Sequence, residues 1–299
     1  LLGLLDRLIE LEPNDLPNRL WRAALRLDSG QIESAAADLA HVAKSERSPY
    51  LSAVAERYHQ AAAQAGGLRG VERVSFADLG VEPKSAQERF VAGFHALRTR
   101  HVPSNIMVAD ELLEAAAAEG YLAARDLRLL SLLARGDAET ARAEKARVFQ
   151  LAHDEALRLE GDYGRETART CATRGVALVV LRRYEDAIEP LKRSLELRPG
   201  RHGPLHNLGV AYRRIDHELA MEYLNRAAEI RPGFWNTTYT KAQVLLARGD
   251  FDAAQSLVDS LPVDGPGGLA WKRAALVGEI ELKRSVDLLW GEDGRAAMP

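Results

Sequence analysis

Along this chain, apolar residues gather on one side of successive short segments, and the segments are separated by Gly, Pro, Asp or Asn. Near the C-terminus, for example, Leu269, Leu276, Ile280, Val286 and Leu289 fall on one side of a helix. No alternating Val/Ile/Thr run is bounded by turn residues, and aromatics are 6% of the chain, so strands are not predicted. Ala, Leu, Arg and Glu dominate, all good helix formers. The pattern predicts a series of helices of about 11–16 residues joined by short breaks.

Three of these segments line up with one another. They are "CATRGVALVVLRRYEDAIEPLKRSLELRPG", "LHNLGVAYRRIDHELAMEYLNRAAEIRPG" and "TYTKAQVLLARGDFDAAQSLVDSLP". Gly175, Gly209 and Ala242 share a register in the first helix of each; Ala187, Ala220 and Ala254 share one in the second. The spacing is 33 or 34 residues, and the second unit is one residue short in its turn. Two antiparallel helices joined by a tight turn approach closely only where side chains are small, which these positions supply. Leu208, Tyr212 and Leu224 are expected to fill the layer between helices. Pro199 and Pro232 stop the second helices, because proline cannot continue the backbone hydrogen bonding. Each pair keeps an apolar side that only the next pair can bury.

These segments resemble tetratricopeptide repeats: Gly209 with Tyr212, "RRYEDA" (182–187), "RGDFDA" (248–253) and the terminal "LRPG" and "IRPG" fit that family's pattern over residues 168–262. A weaker copy, "NRLWRAALRLDSGQIESAAADLAHVAKS", has Ala23 in place of Gly, Gly30 at its turn, then Ala35 and Leu39. "LLGLLDRLIELEP" resembles the second helix of a preceding repeat, so the array is expected to be cut through a unit at its N-terminus. "RHVPSNIMVADELLEAAAAEGYLAARDLRLLSLLARGD" resembles the SEL-like relative of the family. The resemblance implies an all-α, right-handed superhelix (α-solenoid) of antiparallel helix hairpins with a C-terminal capping helix. The expected divisions are N-terminal repeat-like helices at 1–65, an irregular linker at 66–84 that separates two lobes, and a SEL-like helical segment at 85–162 ending in a polar helix over 137–162. Three repeat units at 163–265 follow, then a capping helix and frayed tail at 266–299.

Charge and composition narrow the partner. The formal net charge is −3, from 40 basic and 43 acidic residues, which gives no reason to expect nucleic acid. No stretch approaches the ~18 consecutive apolar residues of a spanning helix, so membrane insertion is not expected. The first residues lack a basic segment and carry charge too early for a signal peptide. The single cysteine, Cys171, cannot form an internal disulfide. This favours a cytoplasmic setting and leaves export open.

No catalytic motif is present: no phosphate-binding glycine loop, no G-x-S-x-G and no H-E-x-x-H. No cofactor or metal is expected. His202 and His206 are four apart, but the first falls in a predicted turn and no third ligand is near in sequence. Glu185 and Asp186 read as acids at a helix N-terminus, and Cys171 as a buried small hydrophobe.

What packing leaves over is one face of the first helices. In the first unit these residues are Arg169, Thr173, Val176 and Val180; in the second, His206, Asn207, Val210, Arg213 and Arg214; in the third, Asn236, Tyr239, Thr240, Gln243 and Leu246. Amides can bond a peptide backbone, arginine a carboxylate, and valines hold an apolar side chain. By the resemblance, Asn207 also aligns with an asparagine that some family members use to grip a peptide backbone or carboxylate. Asn236 and Thr240 stand where a carboxylate clamp has basic residues, so a chaperone-type acidic C-terminus is not expected. The expectation is a non-catalytic protein–protein interaction scaffold that binds a protein or peptide partner in a concave groove. The alternatives are a regulatory or substrate-binding part of a larger enzyme, and a peptide- or metabolite-sensing repeat domain.

Overall fold

The computed structural model describes residues 2–29, 31–45, 47–64, 79–98, 103–263 and 269–295. All regular structure among them is α-helical, and most helices pack on a chain neighbour. The chain divides into two compact units, Leu1–Val148 and Phe149–Pro299.

Unit 1 holds α1 (Leu2–Leu11), α2 (Leu16–Asp28), α3 (Ile32–Ala43), α4 (Pro49–Gln64), α5 (Ala86–Arg98), α6 (Pro103–Ala118) and α7 (Leu122–Ala138). Local sequence sets the helix starts. The Asp15 side chain caps α2 by accepting from the Asn18 N–H at 3.0 Å. "SAQE" forms a capping box: Ser85 Oγ accepts from the Glu88 N–H, and Glu88 accepts from the Ser85 N–H. Ala23 and Ala35 are fully buried where α2 and α3 cross, as the weak repeat copy requires.

The expected 66–84 linker lies mostly outside the described residues, as do Gly30 and the His101–Val102 part of the "HVP" turn. It does not separate two cores. Val54 and Tyr58 of α4 share one apolar cluster with Phe90 and Val91 of α5 and Leu113 of α6. The α5–α6 pair also closes on a small residue that the sequence reading passed over. A Cβ on Gly93 would lie 2.7 Å from Leu113 Cγ, too close for any side chain.

The unit boundary falls inside α8 (Arg142–Tyr163). The expected polar helix at 137–162 is corrected in two ways. Residues 137 and 138 end α7, and α8 is amphipathic: Val148, Phe149, Ala152, Ala156 and Leu159 are buried. The charged residues between these positions hid the stripe.

Unit 2 continues with α9 (Ala168–Val180), α10 (Tyr184–Leu197), α11 (His202–Tyr212), α12 (His217–Ile230), α13 (Trp235–Arg248), α14 (Phe251–Asp259) and α15 (Leu269–Arg295). These form three hairpins, α9–α10, α11–α12 and α13–α14, followed by α15. The crossing positions lie where the register predicts. A Cβ on Gly175 would overlap Leu191, and one on Gly209 would overlap Leu224. Ala242 and Ala254 are fully buried in the third hairpin. α10 and α12 end just before Pro199 and Pro232. Glu185 and Asp186 lie in the first turn of α10.

In α15, Leu276 and Ile280 are buried against the α13–α14 hairpin, Leu269 is buried, and Val286 is half-buried. The Leu289 side chain lies outside the description. The tail expected to fray from 291 is helical to Arg295, and 296–299 lie outside the described residues. No helix among the described residues is long and apolar enough to cross a membrane.

Candidate protein-binding face

The first helices of unit 2, α9, α11 and α13, place the expected residues at very different depths. On α11, His202 and His206 share one face, contrary to the sequence reading, because His202 is the first residue of the helix rather than part of the turn. Their rings stack at 5.9 Å, and both meet the Phe234 ring edge-on. His202 Nε2 and His206 Nδ1 converge on one hydroxyl, Thr237 Oγ1 on α13, at 3.1 and 3.2 Å. Burial holds the His206 ring neutral, with its pKa lowered to about 4, and neighbouring His202 adds to the effect. His202 is lowered too, by burial and by Arg231. The pair thus clips adjacent hairpins together. Asn207 is partly tied down as well, its amide donating to the Gly203 carbonyl one turn back at 2.9 Å.

Arg213 caps the C-terminus of α11, where a cation suits the helix dipole. Its guanidinium donates to the Gln243 side-chain oxygen on α13. No carboxylate pairs with it within salt-bridge distance among the described residues. Burial therefore pulls its pKa below the usual arginine value, and Arg214 adds to this, against opposing effects of Tyr184, Tyr239 and Glu279. Beside it opens a cleft of about 440 Å³ lined by Arg213, Arg214, His217, Gln243, Leu246, Ala247 and Glu279. Two of the lining side chains, Arg213 and Arg214, are cationic, and one, Glu279, is acidic. Arg214 is exposed, and Tyr239, Asn236, Val210, Val176, Val180 and Arg169 are half-buried.

Two expected groove residues are interior, Thr173 at 1% exposure and Thr240 at 6%, while Leu246, at 4%, still takes part in the lining of the cleft. Thr240 Oγ1 bonds the Asn236 carbonyl within its own helix. Each lies on the side of its helix that meets a neighbouring helix, which spacing within one helix does not reveal. The face also includes residues the sequence reading missed. Glu279 comes from α15, more than 60 residues beyond Arg213 in the chain, and His217 starts the following helix, so neither shared a register with the candidates.

Residues 213–276 match the family model described as tetratricopeptide repeat. Over that stretch the chain has the tetratricopeptide-repeat pattern. Among solved structures, it is similar to the APC/C hetero-tetramer Cut9-Hcn1, at 14% identity and a TM-score of 0.64, over 93% of this chain and 52% of that one. It thus spans about half the length of that protein. The P58(IPK) TPR domain matches at 15% identity and a TM-score of 0.33, over 94% of this chain and 83% of that one. Yeast Tom70 matches at 17% identity and a TM-score of 0.34, over 94% and 66%. At these identities the likeness to Cut9-Hcn1 is one of fold. No curated protein matches the sequence. A tetratricopeptide-like helical repeat typically serves as a protein-interaction scaffold.

Within the repeats, one further cluster has ligand-like atoms. Glu160, Glu166 and Cys171 bring donor atoms within 4.8 Å of one another. Arginines already occupy the carboxylates: Arg174 pairs with Glu160 at 2.7 Å, and Arg193 with Glu166 at 2.9 Å. Burial pushes the Cys171 thiol up to about 11, and Glu166 and Glu160 push the same way. A thiol held protonated is a poor nucleophile and a poor metal ligand, so the cluster is best explained as an ion-pair staple between α8 and α9.

Proposed function

We propose that this chain is a non-catalytic scaffold that binds a peptide segment of a partner protein along the first-helix face of unit 2. The observation that supports this is Arg213: a half-buried cation held by a neutral amide beside an open cleft. Removing a guanidinium from water without an anionic partner costs free energy that a bound carboxylate recovers. Arg214 adds positive charge at the same place, so an internal Asp or Glu of an extended segment suits the cleft. Tyr239 and Val210 offer apolar contact alongside it. A largely preformed face lowers the ordering cost of binding.

The test is affinity capture from native lysate with wild type, Arg213→Lys and Arg213→Ala/Gln243→Ala. The expected result is a set of proteins recovered by wild type, reduced with Arg213→Lys and lost with the double variant. Equal recovery by all three would sink the assignment of this face.

A further inference from the structure

The connections between the hairpins of unit 2 gather positive charge. Arg198 caps the C-terminus of α10 and Arg231 that of α12, 33 residues apart in the chain. A cation there suits the helix dipole. Arg169 and Arg201 do not have that explanation. Arg169 lies in the first turn of α9 and Arg201 is the N-cap of α11, where the dipole opposes a cation. The second helices do the opposite at their own starts, with Glu185 and Asp186 on α10, Glu218 on α12 and Asp252 on α14. The first helices α9, α11 and α13 have no acid in the first turn.

These cations form one row. Burial, then Arg198, then Arg169 lower the pKa of Arg201. The next residue, His202, meets the Phe234 ring at 4.7 Å, and the Arg231 guanidinium lies over that ring at 4.4 Å. The row thus passes from the start of α9 across the α10–α11 connection to the α12–α13 connection. Arg198, Arg201 and Arg231 are exposed, and among the described residues no carboxylate lies within salt-bridge distance of them. The acids nearby in sequence are turned away or taken. Glu196 and Glu229 each stand two residues before an arginine of the row, a spacing that faces away on a helix. Glu166 and Glu196 are both held by Arg193, at 2.9 and 2.8 Å.

We propose that this row binds an acidic, extended segment of a partner protein, whose carboxylates pair with the arginines of successive connections. Charge complementarity selects an anionic partner. Pairing offsets the repulsion among Arg169, Arg198 and Arg201, which no acid of the fold relieves. Each of these cations is an arginine, whose planar fork takes a carboxylate at two points. A lipid surface requires only positive charge, which lysine supplies as well. The spacing suits an extended chain. Successive first helices pack on one another, so the row climbs by about 10 Å per hairpin. An extended peptide rises about 3.3 Å per residue, so a carboxylate at every third position keeps step. The row lies at the start of α11 and the Arg213 cleft at its end, about 16 Å apart along an 11-residue helix, so the two are separate sites.

The probe is a fluorescein-labelled peptide of four Glu-Gly-Ser triplets, titrated against the 299-residue chain by fluorescence polarisation. Saturable binding that weakens with added salt is expected. Arg201→Gln and Arg231→Gln should each weaken it by at least about tenfold, the scale of one charge-assisted pair. Arg226→Gln, which removes the same charge from an exposed position elsewhere on α12, should leave it within about twofold. A peptide with its four glutamates adjacent should bind more weakly than the spaced one. Because Arg201 stands among like charges at a helix start, Arg201→Gln should leave the melting temperature unchanged or raised, which separates lost binding from lost fold. No saturable binding, or equal binding by wild type and Arg201→Gln, would overturn the proposal. Binding lost with Arg213→Ala but kept with Arg201→Gln would overturn it by placing the peptide in the cleft. Sedimentation with phosphatidylserine vesicles that depends on Arg201, without peptide binding, would overturn it in favour of a lipid surface.

Discussion

In unit 1 the α2–α3 hairpin closes around a charge. Asp38, 2% exposed, accepts hydrogen bonds from Arg22 at 2.6 and 2.8 Å and from Arg26 at 2.8 Å, with Arg19 at 3.3 Å. Arg22 and Arg26 also reach Asp6 on α1, so one network ties three helices. Asp110 repeats the device on α6, held by Arg128, Ser131 and Arg135 of α7. In unit 2 the α9–α10 and α11–α12 hairpins close on shape, with Leu191 and Leu224 seated over Gly175 and Gly209. Both solutions bring two helices close. The first depends on keeping every partner of a buried carboxylate, the second on keeping a hydrogen atom where any other residue has a carbon.

The contrast predicts unequal responses to substitution. The largest should come from Asp38→Ala, which removes the buried carboxylate from three arginines and leaves only the half-exposed Asp6 to two of them. Breaking a buried pair in this way costs about 3–5 kcal/mol. Hydrogen exchange should show that cost in α1–α3, with α11–α12 protected as before. Next, Gly209→Ala should lose about 1–3 kcal/mol from overpacking against Leu224, despite the better helix propensity of alanine. Adding Leu224→Ala should recover part of that loss, as a double-mutant cycle would show. If Gly209→Ala instead stabilises unit 2, the steric lock is not what holds the hairpin.

The two units should also fail at different pH. The folded pKa of His206, about 4, lies below the ~6.5 of an unfolded histidine. The unfolded chain therefore takes up the proton first as pH falls. Unit 2 should lose stability from about pH 6.5 down to about pH 4, by roughly 1–2 kcal/mol given the partial exposure of the ring. Glu88 in unit 1 behaves differently. Burial alone would raise its pKa, but hydrogen bonds from Ser48, Lys84 and Ser85 outweigh burial and hold it below the usual value. Its contribution is present above the unfolded value of ~4.3 and is lost only as pH falls below that. Hydrogen exchange against pH should therefore rise in α11–α13 before it rises in α4–α5, and His206→Gln should flatten the first rise. Simultaneous loosening of both would contradict this.

The smallest effect concerns a turn. Arg182 has φ +62°, in the place where the third repeat has Gly249 at φ +86°. Arg182→Gly should stabilise the α9–α10 turn by less than about 1 kcal/mol, because relief of the left-handed backbone is partly offset by the freedom glycine gains when unfolded. A thermal melt that shifts downward would show that the Arg182 side chain holds the turn.

The fold was legible wherever one residue type did one steric job at a fixed interval. Gly175, Gly209, Ala242 and the prolines after α10 and α12 are of this kind. The amphipathic nature of α8 was not legible, because its buried stripe at Phe149, Ala152, Ala156 and Leu159 is broken up by charges. The binding face was legible in part. Arg213 and Gln243 were singled out and do meet beside Leu246, whereas Thr173 and Thr240 turned inward.

By itself, the sequence determined the helical period, the 33- or 34-residue repeat and the small residues at the crossings, because these are local demands of backbone geometry. Which side of each helix remains open was decided only by the stacking of one hairpin on the next. That stacking buried Thr173, joined His202 and His206 through Thr237, and brought Glu279 of α15 into the cleft beside Arg213. It also left Gly278, among the described residues, with no atom within 4 Å of where a Cβ would stand. A residue's accessibility depends on neighbours from distant parts of the chain, and no interval within one helix encodes them.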